Sequence, residues 1–107
     1  MLMTTIVAVA SLASAQTENA SRAYLDCTLS EVSKIAGSAS EAQVVARIDN
    51  SCSTERAQYR RLALAEMRNR GDSNEDAQLM WQMMENGHRQ YMIDRWHARN
   101  GRNNFGG

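Results

Sequence analysis

The chain has 107 residues, with 12 basic and 12 acidic side chains, two cysteines and no proline. This length allows one small domain, and the balanced charge argues against nucleic acid as a partner because phosphate binding requires an excess of basic residues. Two cysteines are too few for a four-thiolate zinc site. The absence of proline and the low aromatic content favour an all-α fold over a sheet protein rich in turns.

Residues 1–15 have the features of a secretory signal peptide. They carry no charged side chain, and an apolar run over residues 6–12 precedes Ala13-Ser14-Ala15, a small-x-small sequence of the kind that signal peptidase cleaves. The run is shorter than the roughly 20 residues that a membrane-spanning helix needs. The region before the run has no lysine or arginine, which is unusual for a signal peptide, and an uncleaved helix packed on the domain is the alternative.

Cleavage after Ala15 would divide the chain into three parts. We predict a signal peptide over residues 1–15, a helical domain over residues 16–99 and a flexible tail over residues 100–107. A domain this small is marginally stable unless a covalent or metal link supports its core.

The first predicted helix covers about residues 21–36. A glycine at position 37 follows it, and glycine commonly lies just past a helix end. The apolar residues of this segment recur at intervals of four, three and four, which places them on one face. They are Leu25, Leu29, Val32 and Ala36.

The second predicted helix starts at Ser38-Ala39-Ser40-Glu41, an S-x-x-E capping box, and continues to about residue 70. Gly71 then ends it. Its apolar stripe comprises Val45, Ile48, Cys52, Tyr59 and Ala63. The polar stretch over residues 49–54 could interrupt the helix, but we expect a continuous one.

The third predicted helix covers about residues 72–99. Its first residues combine cap-forming side chains with acids, which the positive end of the helix dipole favours, and Gly87 could kink it. Its apolar stripe comprises Ala77, Met80, Trp81, Met84, His88 and Tyr91, with Met92 and Trp96 beside it. Together the three segments predict a small three-helix bundle.

The two cysteines are placed symmetrically about the first predicted turn. The midpoint between Cys27 and Cys52 falls within residues 37–40, and residues equidistant from a turn face each other in an antiparallel helix pair. Cys27 does not share the leucine face of its helix, so either this helix is buried on two sides, which we favour, or it restarts at Thr28. We predict a Cys27–Cys52 disulfide that links a helical hairpin, a bond that persists in exported proteins.

Methionines and histidines of the third helix are weak candidates for metal ligands. Met80 and Met84 share a face and could bind copper(I) through their thioethers, with His88 nearby. Methionine at helical spacing is more often flexible core filler, and a histidine in an apolar stripe is more often a hydrogen-bonded core residue. We expect His97 to lie on a solvated face near the helix end. No motif of the sequence implies a cofactor.

No catalytic constellation is recognisable in the sequence. It has no G-x-S-x-G elbow and no phosphate-binding glycine loop, so we expect the protein not to be an enzyme. The third helix carries residue types that anchor protein interfaces, which predicts a protein partner or a homo-oligomer through this helix. The candidate interface residues are Trp81, Met84, Tyr91 and Trp96.

The sequence therefore predicts a small exported protein of the periplasm or extracellular space. Its expected role is non-catalytic, in binding or in the structure of the cell envelope, without a membrane span once the signal is cleaved. A periplasmic metal-binding or metal-sensing protein is the alternative.

Overall fold

The computed structural model describes residues 2–101, with side chains from residue 14 onward. In this range the chain is all-α and has four helices: α1 Leu2–Val32, α2 Glu41–Ser51, α3 Ser53–Asn69 and α4 Asn74–Arg99. α1 packs antiparallel to α2 and α3, which follow each other as one arm of a hairpin, and α4 packs against all three. The predicted small helical bundle is confirmed.

The ends of the chain are only partly described. The side chains of residues 1–13, which make up most of the predicted signal peptide, lie outside the described part, and so do residues 102–107 of the predicted tail. Cleavage after Ala15 therefore stays a prediction. Among the described residues, no helix combines the length and the apolar character needed to cross a membrane.

The end of α1 differs from the prediction. The helix ends at Val32 rather than near residue 36, and Gly37 is not among the described glycines with positive φ. Instead of a glycine cap, the Arg99 guanidinium donates hydrogen bonds to the backbone carbonyls of Ser33 and Ile35. A side chain of α4 therefore holds the backbone that follows the end of α1.

Gly37 is closely approached by a side chain at the end of α4. A Cβ at this position would lie 2.6 Å from Asn100 Oδ1. Asn100 follows the last residue of α4, and its side-chain amide donates a 2.8 Å hydrogen bond to the carbonyl of Trp96. The first residue of the predicted tail is therefore packed against the turn between α1 and α2.

The arm formed by α2 and α3 corrects two predictions. Its capping box starts at Ser40. The Ser40 hydroxyl accepts a hydrogen bond from the backbone N–H of Gln43 at 3.1 Å, and Gln43 Oε1 accepts one from the backbone N–H of Ser40 at 2.8 Å. The predicted box, starting at Ser38, was two residues early.

The predicted continuous helix was also wrong, because Cys52 leaves helical geometry with φ −111° and ψ 26°. The break falls in the polar stretch, whose Asp, Asn and Ser residues have low helix propensity.

The far end of this arm and the start of α4 follow the sequence pattern. α3 ends at Asn69, and Gly71 adopts φ 102°, a left-handed conformation that glycine takes without strain. Ser73 then caps α4 by accepting a hydrogen bond from the Asp76 amide at 3.1 Å. Gly87 does not interrupt α4.

Burial on α1 supports the expectation that this helix is buried on two sides. Tyr24 and Thr28 are buried, while Leu25 and Leu29 are partly buried against a cluster that includes residues of α2 and α4. Ala36 is exposed. The alternative of a restart at Thr28 was wrong, since α1 is continuous through that residue.

The hydrophobic core consists of two clusters. One lies near the first turn and comprises Val32, Ile35, Val44, Ile48, Met92, Ile93 and Trp96. The other lies near the opposite end and comprises Ala63, Leu64, Met67, Ala77 and Trp81. Along α4 the two clusters are separated by a segment that contains Glu85, His88 and Arg89, so the centre of the bundle is polar.

The predicted apolar stripe of α4 was partly wrong. Ala77, Trp81, Met92 and Trp96 are buried as expected. Met80, Met84 and Tyr91 are 43%, 36% and 46% exposed, whereas the carboxylate residue Glu85 is buried. The inner face of α4 is therefore set by a repeat that includes a charged residue, and several large apolar residues point outward.

Candidate functional site

The disulfide lies at the middle of the bundle, as predicted. Cys27 Sγ and Cys52 Sγ are bonded, with the two Cα atoms 5.9 Å apart. The bond connects α1, near its C-terminal end at Val32, to the junction between α2 and α3. Cys52 is fully buried and Cys27 is half-buried, and the chain has no free cysteine.

A layer of polar side chains crosses the bundle beside the disulfide and separates the two apolar clusters. We call it the polar layer, and it comprises Tyr24, Thr28, Asp49, Arg56, Glu85, His88 and Arg89. All four helices contribute to it. Of these residues, the sequence pattern indicated only His88 as a candidate ligand, and it did not predict the layer as a unit.

The ionic part of the polar layer is centred on Glu85, whose side chain is only 10% exposed. Arg56 donates to one carboxylate oxygen of Glu85 through Nε, and Arg89 Nη1 lies 3.1 Å from the other. Arg89 also makes a two-pronged contact with Asp49, at 2.8 and 3.4 Å. Two acids and two arginines therefore form one chain of ion pairs that joins α2, α3 and α4.

The ion pairs determine the charge state of Glu85. Burial alone would raise the pKa of this carboxyl, but the hydrogen bond and the positive charge of Arg56 outweigh burial. The charge of Arg89 and a hydrogen bond from Trp81 act in the same direction, so the pKa is lowered. The hydrogen bond to Glu85 in turn raises the pKa of Arg56. The pair is therefore ionised at neutral pH.

The second part of the polar layer is a stack of His88 on Tyr24. The two ring centroids lie 4.3 Å apart with an angle of 20° between the planes. His88 Nε2 is 2.9 Å from Thr28 Oγ1. Burial, and then the charge of Arg89, lower the pKa of His88 against the opposite effects of Asp49 and Glu85. The imidazole is therefore held neutral and in contact with α1.

The Tyr24 hydroxyl differs from the other polar groups of the layer in its hydrogen bonding. It is buried and has no hydrogen-bond partner among the described residues. Burial raises its pKa to about 12, and the negative charges of Asp49 and Glu85 add to that effect. The phenol is thus a poor acid at neutral pH and is not activated for proton transfer.

The polar layer lies apart from four surface hollows of the described part of the chain. These hollows have volumes of about 370–450 Å³, and no residue of the polar layer lines them. The contacts within the layer join the four helices to one another.

The candidate metal ligands have different surroundings, and metal binding by them stays a prediction. His88 contacts Thr28 and Tyr24. Met80 and Met84 line one hollow together with Thr17. Within residues 14–101, no group of three or more histidines, cysteines and acids could hold a metal ion.

His97 is not on a solvated face, contrary to expectation. Its side chain is 14% exposed, and Nε2 lies 3.0 Å from Glu41 Oε2. The ring also contacts Trp96, with the centroids 4.7 Å apart. The start of α2 therefore covers this residue.

The candidate interface residues lie in two different environments. Trp81 and Trp96 are 3% and 1% exposed, so neither offers its side chain to a partner of the folded chain. Trp96 Nε1 donates to the Ala36 carbonyl at 3.3 Å, and the Trp81 ring contacts Tyr59 edge-on. Met84 and Tyr91 are exposed, and their role in an interface stays a prediction.

A second apolar face runs along the outside of α4. We call it the outer face, and it comprises Leu79, Met80, Met83, Met84, Gly87 and Tyr91. Leu79 is 59% exposed and Met83 is 73% exposed. Sequence analysis assigned part of this face to the core, because residues 80, 84 and 91 have helical spacing like the true core residues. The signal that distinguishes the two faces is the repeat at residues 77, 81, 85, 88, 92 and 96, which contains both tryptophans.

No family model, curated protein or solved structure matches this chain. The fold and the site are those of an all-α, disulfide-linked bundle with a polar layer inside and an apolar face outside.

Proposed function

We propose that this chain is an exported, non-catalytic binding protein that contacts its partner through the outer face of α4. The main observation in support of this proposal is that four large apolar side chains are exposed within about one and a half turns of α4. They are Leu79, Met80, Met83 and Met84. Contiguous apolar patches on soluble proteins commonly mark interaction sites, and methionine suits such a surface because its side chain adapts to different partners.

The polar layer supports a binding role rather than a catalytic one. Its acids, arginines and histidine contact one another or α1, as the ion pairs of Glu85 and the contact of His88 with Thr28 illustrate. Groups engaged in this way stabilise the bundle and leave few polar side chains for chemistry. The disulfide supports export, because such bonds persist mainly outside the reducing cytosol.

Export is tested by the mass of the protein isolated from its native host. The proposal expects a chain that starts at Gln16 and contains no free thiol before reduction. A chain retained in the cytosol with residues 1–15 present and both thiols alkylated would contradict it.

Binding is tested by a photo-crosslinking amino acid placed at position 83 in the exporting cell. Position 54 is the matched control, since Thr54 is exposed on α3 and lies opposite the inward-facing Ala63. The proposal expects a discrete adduct from position 83, none from position 54, and loss of the adduct when Leu79→Glu is added. Equal labelling at both positions would contradict a binding role for the outer face.

A further inference from the structure

We infer that the partner of the outer face is a second copy of this chain, packed with its α4 antiparallel to the first. This inference rests on the proposed function and adds the identity and orientation of the partner. Its central contact is the side chain of Met84 seated over Gly87 of the other copy.

Gly87 is the first observation. It lies in the middle of α4, where glycine destabilises a helix relative to alanine. Nothing in the described part of the chain requires it: a Cβ at Gly87 would meet no described atom within 4 Å, and its φ is not positive. Helical glycine permits close approach of another backbone or side chain. Since no part of the described chain makes that approach, a second molecule is the candidate.

The spacing of the outer face is the second observation. Met80, Met84, Gly87 and Tyr91 follow one another at intervals of four, three and four residues, which is the repeat of a helix-packing seam. If two such seams run antiparallel about a point between residues 85 and 86, Met84 lies opposite the partner's Gly87. In the same register Met80 lies opposite the partner's Tyr91. A large residue thus meets the gap that glycine leaves, and the pairing is the same in both directions, as a two-fold dimer requires.

The charge distribution favours the antiparallel orientation. The first turn of α4 is acidic, with Glu75 and Asp76, and its last turn is basic, with Arg99. Arg95 is exposed one turn earlier. The antiparallel register brings Asp76 level with Arg95 of the other copy, whereas a parallel dimer would bring like charges together. Opposite charges across an interface steer association and suppress wrong orientations.

The exposed area is sufficient for a weak dimer. The five exposed apolar side chains of the outer face are between 36% and 73% exposed. A side chain of this size with half of its surface exposed offers on the order of 100 Å². Complete coverage of this surface on two copies would bury about 1,000 Å² in total, which is the lower limit for a specific interface. We expect dissociation in the micromolar range.

The inference is tested by the molar mass of the purified, oxidised chain, measured by sedimentation from micromolar to millimolar concentration. It expects a monomer–dimer equilibrium with no larger species. A monomer throughout this range would overturn the inference. If crosslinking from position 83 still gave a discrete adduct in cells, the binding role would stand with a different partner.

Substitutions at Gly87 separate a dimer through this seam from a dimer through any other surface. Gly87→Gln adds a side chain that the monomer accommodates, since nothing lies within 4 Å of the Cβ position. We expect at least about tenfold weaker dimerisation with a melting temperature, measured on the monomer, that does not fall. Ala57→Gln is the control, because Ala57 is exposed on α3 and lies outside the proposed seam. Equal dimerisation of Gly87→Gln and Ala57→Gln would overturn the inference.

The orientation is tested by exchanging charges. Asp76→Arg and Arg95→Asp should each weaken the dimer, and the double variant should restore it, because both pairs of the antiparallel dimer are then reversed together. Additive weakening in the double variant would overturn the antiparallel register.

Discussion

Thr28 and His88 are 60 residues apart in the sequence, yet Thr28 Oγ1 lies 2.9 Å from His88 Nε2. The Thr28 hydroxyl has one proton, and the carbonyls of Tyr24 and Leu25 lie 3.0 and 3.1 Å from its oxygen. The hydroxyl therefore donates to the backbone of α1 and accepts a hydrogen bond from His88 Nε2. This contact assigns the proton of the neutral imidazole to Nε2.

The lowered pKa of His88 predicts a loss of stability in mild acid. The unfolded chain binds a proton at this residue near its ordinary value of about 6.5, while the folded chain resists protonation. The stabilisation that comes from the lowered pKa of His88 is complete above the unfolded pKa of about 6.5, and it is lost as the pH falls through the pKa of the folded state. Denaturant unfolding between about pH 7 and 5 should show this slope, and His88→Gln should flatten it. An unchanged slope in His88→Gln would contradict the assignment.

Replacing Glu85 should destabilise the bundle through the arginines that it neutralises. Glu85→Gln leaves Arg56 and Arg89 without their shared carboxylate. Breaking a fully buried pair costs about 3–5 kcal/mol, and we expect about 2 kcal/mol here because the two arginine side chains are 33% and 25% exposed. Glu75→Gln, at an exposed position of the same helix, is the control in urea unfolding and should cost less than about 1 kcal/mol.

The lowered pKa of Glu85 predicts a second loss of stability, at more acidic pH than that of His88. The carboxylate stabilises the fold above its unfolded value, and this contribution is lost as the pH falls through the lowered folded pKa. In Glu85→Gln the stability should depend less on pH in this range. If wild type and variant lost stability in parallel below about pH 4, another group would be responsible.

Removing the Tyr24 hydroxyl should not destabilise the protein. This buried oxygen has no hydrogen-bond partner among the described residues, so Tyr24→Phe removes a desolvated polar atom and keeps the ring that stacks on His88. We expect a change in the free energy of unfolding between zero and about 1 kcal/mol in the stabilising direction. Because the pKa of Tyr24 is raised to about 12, wild type should lose stability above about pH 10, and Tyr24→Phe should lose less.

Removing the disulfide should cost more than any single polar contact. The bond closes a loop with a sequence separation of 25, which corresponds to about 3.5 kcal/mol by the chain-entropy relation. The double substitution Cys27→Ala/Cys52→Ala should lower the free energy of unfolding by about that amount. Circular dichroism should show whether α2 and α3 still form. A loss below about 1 kcal/mol would mean that packing alone holds α1 against the other arm.

The disulfide and the bundle could be predicted from the sequence because they depend on spacing along the chain. The midpoint between Cys27 and Cys52 falls within the predicted turn over residues 37–40, although the observed turn starts earlier, after Val32. Gly71 and Ser73 mark the next turn by their residue types. These signals are local or symmetric, so a single sequence is enough to interpret them.

The inner side of α4 could not be predicted from residue type alone. Met84 and Glu85 are neighbours, and the apolar residue points outward while the charged one is buried. The burial of Glu85 depends on Arg56, which is 29 residues away and on another helix. The same is true of the segment after α1, where Arg99 donates hydrogen bonds to the backbone from the far end of the chain. Contacts of this kind follow from the packed arrangement, and one sequence does not show which residues make them.

The central claim is that the two faces of α4 have different roles. The inner face stabilises the fold, and the outer face is exposed and binds a partner. The most direct test is the free energy of unfolding of Leu79→Glu/Met83→Glu, measured at a concentration where the chain is monomeric. We predict a change within about 0.5 kcal/mol, as for other exposed sites, whereas Trp81→Ala on the inner face should cost about 3–5 kcal/mol. A loss above about 2 kcal/mol in the outer-face variant would contradict the claim, because it would place those side chains in the core.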